Sequence, residues 1–218
     1  MSIEPTPIDE RLARYVRDHA SGRDEALRRV EEETAAMGSV QAMQTAPEQA
    51  AFLEMLVRLG EARRAIEVGT FTGYGAIRIA RGLAPGGTLL CCELDPDRAE
   101  IARRNLDRAG VGERVEIRVG PALDTIRSLP AEPGFDFAYV DADKTGYPSY
   151  FEALLPRMSA GGLIAFDNVF MAGRILDEEP DEGTAAMQRL NDALVEDPRV
   201  DSVMLGMADG LTLARVRG

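Results

Sequence analysis

Two groups of polar side chains follow apolar segments in this sequence. Asp141 and Lys144 come after one such segment, and Asp167 and Asn168 come directly after the next one along the chain. Asp141, Asp167 and Asn168 together offer three oxygen ligands, which favour a hard cation such as Mg²⁺, Mn²⁺ or Ca²⁺. Taken alone, each group is better explained as a helix cap or a turn than as a cation site. Their joint position at the ends of two segments predicts a divalent-cation site.

Lys144 would stand beside this ion. A neighbouring positive charge favours the neutral form of an amine, which suits a general base. A cation that chelates two adjacent hydroxyls also acidifies them, much as a metal ion acidifies bound water. We therefore predict Lys144 and Asp141 as the catalytic residues, with alignment and charge compensation supplying most of the rate gain.

A glycine-rich turn precedes these groups in the chain. Residues 65–75 read as a short apolar strand, a turn that contains Gly69 and Gly73, and a helix start at Gly75. Gly69 permits a backbone conformation that a side chain disfavours, whereas Gly73 and Gly75 offer bare backbone to a ligand at a helix N-terminus. The alternative is an ordinary strand-to-helix turn without a ligand.

The ligand of this turn is either a dinucleotide or S-adenosylmethionine. The spacing Gly69-x-x-x-Gly73-x-Gly75 does not match the G-x-G-x-x-G fingerprint of dinucleotide sites. Glu67 precedes the turn, where its charge opposes a pyrophosphate but suits an ammonium and a sulfonium. Glu93 closes the second predicted strand and can accept both hydroxyls of a ribose, although it also reads as a surface acid before a helix. The pair favours S-adenosylmethionine.

Alternating short apolar segments and helix-like segments must position these groups. Strands are predicted at residues 64–68, 88–94, 115–119, 135–140, 163–166, 200–205 and 211–216. Helices are predicted between them at residues 75–81, 96–109, 122–129, 147–158 and 184–196. This order is typical of a parallel sheet with helices on both faces. The Asp209-Gly210 dipeptide predicts that the last two strands form an antiparallel hairpin.

Three helices are predicted before the sheet. The first two, at residues 8–20 and 23–37, should cap the sheet or contact a partner subunit. The third, at residues 48–59, has Thr45 as its predicted N-cap.

The chain length bounds the domain count. At 218 residues the chain fits one compact domain with a proper core. We predict an N-terminal helical cap over residues 1–42 and a catalytic core over residues 43–218.

Composition excludes several classes of function. A net charge of −12 argues against nucleic-acid binding, and the one histidine, His19, lies far in sequence from the glycine turn. No apolar run approaches the roughly 20 residues of a membrane helix. Residues 1–5 do not resemble a secretory signal, and Cys91 and Cys92 are too few for a disulfide framework. We predict a cytoplasmic protein with neither a nucleic-acid nor a membrane partner.

Five blocks in order make the sequence recognisable. They are AIEVGTFTGYG (65–75), GPALD (120–124), FDFAYVDADK (135–144), GGLIAFDN (161–168) and GMADGLTLAR (206–215). From about Met43 to its C-terminus, the chain resembles the cation-dependent O-methyltransferase family, which includes catechol and caffeoyl-CoA O-methyltransferases. The resemblance implies an α/β, Rossmann-like class I methyltransferase fold of about seven strands. It also implies S-adenosylmethionine and a divalent cation as cofactors, a small hydroxylated acceptor, and a homodimer.

The resemblance also assigns residues by position. It implies Asp141, Asp167 and Asn168 as cation ligands and Lys144 as the base. The implied cofactor contacts are Met43, Thr45, Glu67, Gly69, Thr70, Gly75, Glu93, Ala122 and Asp141.

The sequence departs from the family pattern at two places. Gly75 stands where relatives often have serine, and Met171-Ala172 stands where relatives often have tryptophan followed by serine or asparagine. The second departure falls on the predicted wall of the acceptor site, so the acceptor is not carried over from the family. Asp143 and Asp209 are further candidates for that wall.

These observations predict an S-adenosylmethionine-dependent, divalent-cation-dependent O-methyltransferase. Its acceptor would be a catechol-like or other vicinal dihydroxy molecule, with caffeoyl-type phenylpropanoids and secondary metabolites left open. The missing basic patch favours a free phenol over a coenzyme A thioester. The alternatives are a nicotinamide-dependent oxidoreductase on a related sheet and a catalytically silent S-adenosylmethionine-binding protein.

Overall fold

The computed structural model describes residues 6–218. The prediction that no secretory signal is present rests on residues 1–5, which lie outside the described residues. Within the described part, no helix combines the length and the apolar character needed to cross a bilayer.

Within residues 6–218, seven strands form one sheet in the order β3-β2-β1-β4-β5-β7-β6. The strands are β1 (Arg64–Val68), β2 (Thr88–Glu93), β3 (Val115–Val119), β4 (Phe135–Val140), β5 (Met158–Asp167), β6 (Val200–Leu205) and β7 (Leu211–Val216). The first five strands pair in parallel, whereas β7 runs antiparallel between β5 and β6. The predicted mostly parallel sheet with a C-terminal antiparallel hairpin is therefore confirmed.

Helices cover both faces of this sheet. They are α1 (Glu10–Asp18), α2 (Glu25–Ala35), α3 (Pro47–Leu59), α4 (Tyr74–Gly82), α5 (Pro96–Arg108), α6 (Ala122–Ser128), α7 (Tyr147–Leu154) and α8 (Glu182–Glu196). Alternate strand residues enter two separate apolar clusters: Ile66 packs with residues of α7 and α8, and Ala65 packs with residues of α2, α3 and α4. This two-residue period is the expected consequence of strands buried on both faces.

Three local predictions are wrong. The strand predicted at residues 163–166 extends over Met158–Asp167, because residues 159–162 continue it through a bulge between its pairings with Phe135 and Phe137.

The helix predicted over residues 147–158 ends at Leu154, and a short 3₁₀ turn follows before β5. Pro156 explains the early end, because it has no N–H for the next helical hydrogen bond. Thr45 is not the N-cap of α3: Ala46 occupies that position without a side-chain cap, and the Thr45 hydroxyl lies 3.4 Å from the Tyr139 hydroxyl instead.

The register of the parallel strands brings the predicted site together. Val68 pairs with both Cys92 and Val140, and Val140 pairs with Phe166. The carboxyl ends of β1, β2, β4 and β5 consequently share one edge of the sheet, which is where ligands bind in open α/β sheets.

Candidate active site

A cavity of about 900 Å³ opens at this edge of the sheet. The predicted site residues on its wall are Met43, Thr45, Gly69, Thr70, Gly75, Glu93, Ala122, Asp141, Lys144, Asp167 and Asn168. Glu67 differs from the others, since it lies beneath the wall and is 1% exposed. Both groups of residues found in the sequence therefore meet around one cavity, whose volume suits a cofactor together with a small acceptor.

The glycine loop (residues 69–73) is fixed by close packing. Gly69 has a φ of 90°, and a Cβ at this position would lie 1.9 Å from the carbonyl oxygen of Asp141. The prediction that Gly69 is needed for its backbone is thus confirmed, and the contact adds a second reason. Gly73 was predicted to offer bare backbone to a ligand, but a Cβ there would lie 3.3 Å from Cα of Ala102 in α5. That face of Gly73 is used for helix packing.

Glu93 holds the glycine loop in place. Its Oε2 accepts hydrogen bonds from the backbone N–H groups of Thr70 (3.1 Å) and Phe71 (2.7 Å), and its Oε1 accepts one from Asp95 at 3.0 Å. Each carboxylate oxygen has a further lone pair, so the side chain can still accept a hydroxyl from the cavity. Its contact with a ribose remains a prediction.

Glu67 is a buried carboxyl group that accepts few hydrogen bonds. A Cβ on Gly75 would lie 2.7 Å from its Oε1, so the missing side chain at position 75 makes room for this carboxyl group. Its Oε2 accepts a long hydrogen bond, 3.5 Å, from the Cys91 thiol. Burial raises the pKa of Glu67 to about 8. A cationic ligand group above Gly75 would favour the ionised form, which fits an ammonium or a sulfonium.

Asp141 and Lys144 form an ion pair at the end of β4. Lys144 Nζ donates to Asp141 Oδ1 at 3.0 Å and to the hydroxyl of Tyr147 at 2.7 Å. The Tyr147 hydroxyl in turn donates to the backbone carbonyl of Val140 at 3.1 Å. Burial, together with the negative charge of Asp167, raises the pKa of Asp141 to about 6 although Lys144 opposes this effect.

Asp167 and Asn168 complete the oxygen cluster at the end of β5. Asp167 Oδ1 accepts a hydrogen bond of 2.6 Å from the backbone N–H of Asn168. Two carboxylates on one wall, with repulsion between them, form a donor set that a hard cation would neutralise. Within residues 6–218 no three His, Cys, Asp or Glu side chains are grouped as metal ligands. The predicted set differs from such a group because its third member is an amide.

Tyr139 and Gln49 were not predicted from the sequence. The Tyr139 hydroxyl donates to Asp167 Oδ2 at 2.6 Å, and Gln49 Nε2 donates to the Tyr139 oxygen at 3.2 Å. Burial raises the pKa of Tyr139 well above its usual value, so the hydroxyl keeps its proton and remains a donor. The sequence carried no direct signal for this role, because Asp167 is brought against Tyr139 only by the pairing of β4 with β5.

The post-β5 loop (residues 168–173) has an unusual backbone. Asn168, Met171 and Ala172 have φ values of 56°, 52° and 55°, in the left-handed region that side chains disfavour. Asp209 holds this loop, since its Oδ1 accepts the backbone N–H of Ala172 at 2.7 Å and its carbonyl oxygen accepts that of Phe170 at 2.9 Å. Asp209 also lines the cavity, as does Asp143.

Comparison with known proteins decides the family. The profile described as "O-methyltransferase" matches residues 17–217. The chain belongs to the O-methyltransferase family. This O-methyltransferase is similar to a catechol O-methyltransferase of Niastella koreensis, with 36% identity over 96% of this chain and 98% of that protein. A catechol O-methyltransferase of Mycobacterium tuberculosis is 39% identical over 78% of this chain and 79% of its own.

A solved structure agrees with the sequence comparisons. An O-methyltransferase from Bacillus cereus in complex with SAH has a TM-score of 0.87 and 35% identity, covering 95% of this chain and 97% of that one. The predicted family, fold and enzyme class are therefore confirmed, and the nicotinamide-dependent alternative is not retained.

Proposed function

We propose that this O-methyltransferase transfers the methyl group of S-adenosylmethionine to one hydroxyl of a vicinal dihydroxy-aromatic molecule, with a divalent cation as its second cofactor. Mg²⁺ is the expected ion, and Mn²⁺ and Ca²⁺ offer the same preference for oxygen ligands. Two similar proteins are named catechol O-methyltransferases, and a structural neighbour was solved with SAH, the demethylated form of this donor.

One observation carries the proposal: the oxygen cluster and the glycine loop line the same cavity. Asp141, Asp167 and Asn168 stand on the wall that also contains Gly69 and Gly75. A cation site and a methyl-donor site in one cavity would bring an activated hydroxyl and a methyl group together, which is the arrangement that alignment catalysis requires.

The residues on the cavity wall and beneath it fit both the divalent cation and the methyl donor. Asp141, Asp167 and Asn168 would hold the cation, which supplies chelation of two adjacent hydroxyls and lowers their pKa. Glu67 and Glu93 would hold the donor, one through its charge and the other through hydrogen bonds to the ribose hydroxyls.

Lys144 would take the proton of the reacting hydroxyl. Its Nζ is oriented by Asp141 and by the Tyr147 hydroxyl, both within 3.0 Å. A lysine held at two points has a fixed direction toward the cavity, so an acceptor hydroxyl meets the amine in a defined geometry. Beside the held cation, the neutral form of the Lys144 amine would be favoured. This neutral amine would accept the proton of the hydroxyl while the acceptor oxygen gains the methyl group and the donor leaves as SAH.

The charges on the cavity wall favour a free phenol over a coenzyme A thioester. Beside the two proposed ligand aspartates, Asp143 and Asp209 contribute carboxylates to the wall. Among the described residues, its two cationic side chains are already paired, Lys144 with Asp141 and Arg98 with Asp95. Such a wall repels phosphate groups, whereas a neutral or cationic catechol enters without this cost.

Methyl transfer to a panel of catechols tests the proposal, and variants of Lys144 test the mechanism. We expect Lys144→Ala to lower kcat by about 10² to 10⁴-fold, the range typical of a lost general base. Lys144→Arg is the matched control, because it keeps the charge beside Asp141 but cannot give up its proton near neutral pH. Both variants should lose activity while their affinity for SAH, measured by calorimetry, stays near that of the unmodified protein.

Three results would contradict the proposal or its assignments. An active Lys144→Arg variant would assign the lysine to charge compensation. Loss of SAH binding with an unchanged kcat would place it in the cofactor site. A protein that binds SAH but methylates no member of the panel would favour the catalytically silent alternative.

We also propose a homodimer, as the family resemblance implies. Val203 and Met204 on the edge strand β6 are 51% and 44% exposed, and a partner subunit would cover them. Light scattering on the purified protein tests this, and a monomer at all concentrations would contradict it. The division into a cap (1–42) and a core (43–218), and the cytoplasmic location, remain predictions from the sequence.

A further inference from the structure

A buried chain of hydrogen bonds connects α3 with Asp167. Gln49 Nε2 donates to the Tyr139 hydroxyl oxygen at 3.2 Å, and that hydroxyl donates to Asp167 Oδ2 at 2.6 Å. The Thr45 hydroxyl lies 3.4 Å from the same oxygen. Tyr139 is 0% exposed and Gln49 is 1% exposed, so water does not compete for these bonds.

The direction of this chain is fixed by its chemistry. The amide nitrogen of Gln49 can only donate, so it occupies the Tyr139 oxygen as an acceptor. The single proton of the Tyr139 hydroxyl is then directed to Asp167. A low-dielectric interior strengthens such bonds and makes a broken one costly.

The orientation of Asp167 follows from two bonds. Its Oδ1 is held by the backbone N–H of Asn168 at 2.6 Å, and its Oδ2 is held by Tyr139. The carboxylate therefore cannot rotate without losing one of them. Each oxygen retains a lone pair for another partner, and Asp167 lies on the cavity wall.

A tyrosine with only a packing role would not need this arrangement. The Tyr139 ring lies within an apolar cluster that includes Phe137 and Ala165, where a phenylalanine would bury the same ring without a polar atom. The hydroxyl is retained at the one point where it meets a carboxylate of the oxygen cluster.

We propose that Tyr139 is a positioning residue for the divalent cation, holding Asp167 in the orientation that binds the ion, with Gln49 directing the tyrosine hydroxyl. This inference rests on the cation dependence in the proposed function. Ligating carboxylates are commonly oriented by hydrogen bonds from a second layer of residues, and loss of such a bond weakens metal affinity by about 10- to 100-fold.

The test is a calorimetric titration of the purified full chain with Mn²⁺ alone, without cofactor or acceptor. Tyr139→Phe should bind Mn²⁺ about 10- to 100-fold more weakly than the unmodified protein. Tyr74→Phe is the matched control, because Tyr74 is 1% exposed and its hydroxyl also donates to a carboxylate, that of Glu31, at 2.9 Å. Tyr74→Phe should keep the Mn²⁺ affinity of the unmodified protein.

A second variant covers the case in which Tyr139→Phe does not fold. Gln49→Met leaves the Tyr139 hydroxyl in place but frees it to turn away from Asp167, so we expect a smaller loss of Mn²⁺ affinity in the same direction. Circular dichroism melting curves establish that each variant compared is folded.

The outcomes separate this inference from the proposed function. Unchanged Mn²⁺ affinity in the folded variants, beside clear binding by the unmodified protein, overturns the role of Tyr139 alone. An equal loss in Tyr74→Phe also overturns it, because the effect would then follow from losing any buried tyrosine hydroxyl. No Mn²⁺ binding by the unmodified protein overturns the cation dependence, and the role of Tyr139 with it.

Discussion

The glycine loop and the post-β5 loop border the same cavity but are built differently. In the glycine loop, two of the left-handed positions are Gly69 and Gly73, and Phe71 is the third. In the post-β5 loop, Asn168, Met171 and Ala172 adopt left-handed conformations with side chains in place. Two of the three left-handed positions in the first loop are glycines, which tolerate this backbone. In the second loop Gly173 is the one glycine among four left-handed positions, so most of that loop is held against the preference of its residues.

The two loops also differ in the residues that hold them in place. The glycine loop is locked by the sheet, because Glu93 binds two of its N–H groups and Asp141 packs against Gly69. The post-β5 loop depends on a distant residue, Asp209, whose side chain and backbone hold it from the β6–β7 turn. The glycine loop, our proposed cofactor wall, is thus fixed by the sheet, whereas the post-β5 loop, our proposed acceptor wall, depends on the conformation of Asp209.

The largest expected effect is at the cofactor wall. Gly69→Ala would add a Cβ 1.9 Å from the Asp141 carbonyl oxygen and also demand a φ of 90°. We expect a loss of unfolding free energy of about 4–5 kcal/mol or more, which places the variant among severe core defects. Urea denaturation measures it.

Gly110→Ala is the control for the backbone conformation alone. Gly110 has a φ of 71°, and a Cβ there meets nothing within 4 Å. It should cost only about 1–2 kcal/mol, the penalty of a left-handed residue. Equal losses at both positions would show that packing against Asp141 contributes nothing.

An intermediate effect on stability is expected from Glu67, the buried carboxyl group next to the glycine loop. Burial raises the pKa of Glu67 from 4.5 to about 8, so folding favours the protonated carboxyl group. The contribution of protonated Glu67 to the unfolding free energy is complete below about pH 4.5. It is lost as pH rises toward 8, by about 1.4 kcal/mol per pH unit. Glu67→Gln cannot ionise and lacks this dependence.

The measurement is the unfolding free energy of both proteins without ligands at about pH 5.5 and pH 7.5. The stability of the unmodified protein relative to Glu67→Gln should fall by roughly 2–3 kcal/mol over this interval. If the difference in unfolding free energy between the two proteins does not change with pH, the pKa of Glu67 is not raised in the ligand-free protein.

The smallest expected effect is at the acceptor wall. Ala172→Gly should raise the unfolding free energy by about 0.5–1 kcal/mol, because glycine accepts the φ of 55° without the left-handed penalty. Ala193→Gly is the matched control on an exposed position inside α8, where the same change should cost up to about 1 kcal/mol. Losses of the same size at both positions would show that Ala172 stores no strain.

The sequence predicted the cofactor wall better than the acceptor wall for a physical reason. The glycine at position 69 indicates a left-handed turn. The apolar segment before Gly69 predicts that this turn follows a strand of the sheet. Ala172 carries no such signal, since its conformation is imposed by Asp209, which is 37 residues away in the chain.

The wrong N-cap assignment and the missed role of Tyr139 have the same origin. The overlong helix prediction differs, because Pro156 stands in the sequence as a stop signal. Thr45 has the right type and position for a cap, yet the core offers its hydroxyl a place beside Tyr139 instead. Tyr139 reads as one more buried strand residue until Asp167 is brought against it by the pairing of β4 with β5. Contacts across the sheet decide such roles, and periodicity along one strand does not report them.

The most direct test of the proposed chemistry is the rate of methyl transfer from S-adenosylmethionine to catechol with and without divalent cations. We expect the rate to fall to background in excess chelator and to recover when Mg²⁺ is restored beyond the chelator concentration. An unchanged rate in excess chelator would contradict the assignment of Asp141, Asp167 and Asn168 as ligands of a catalytic cation.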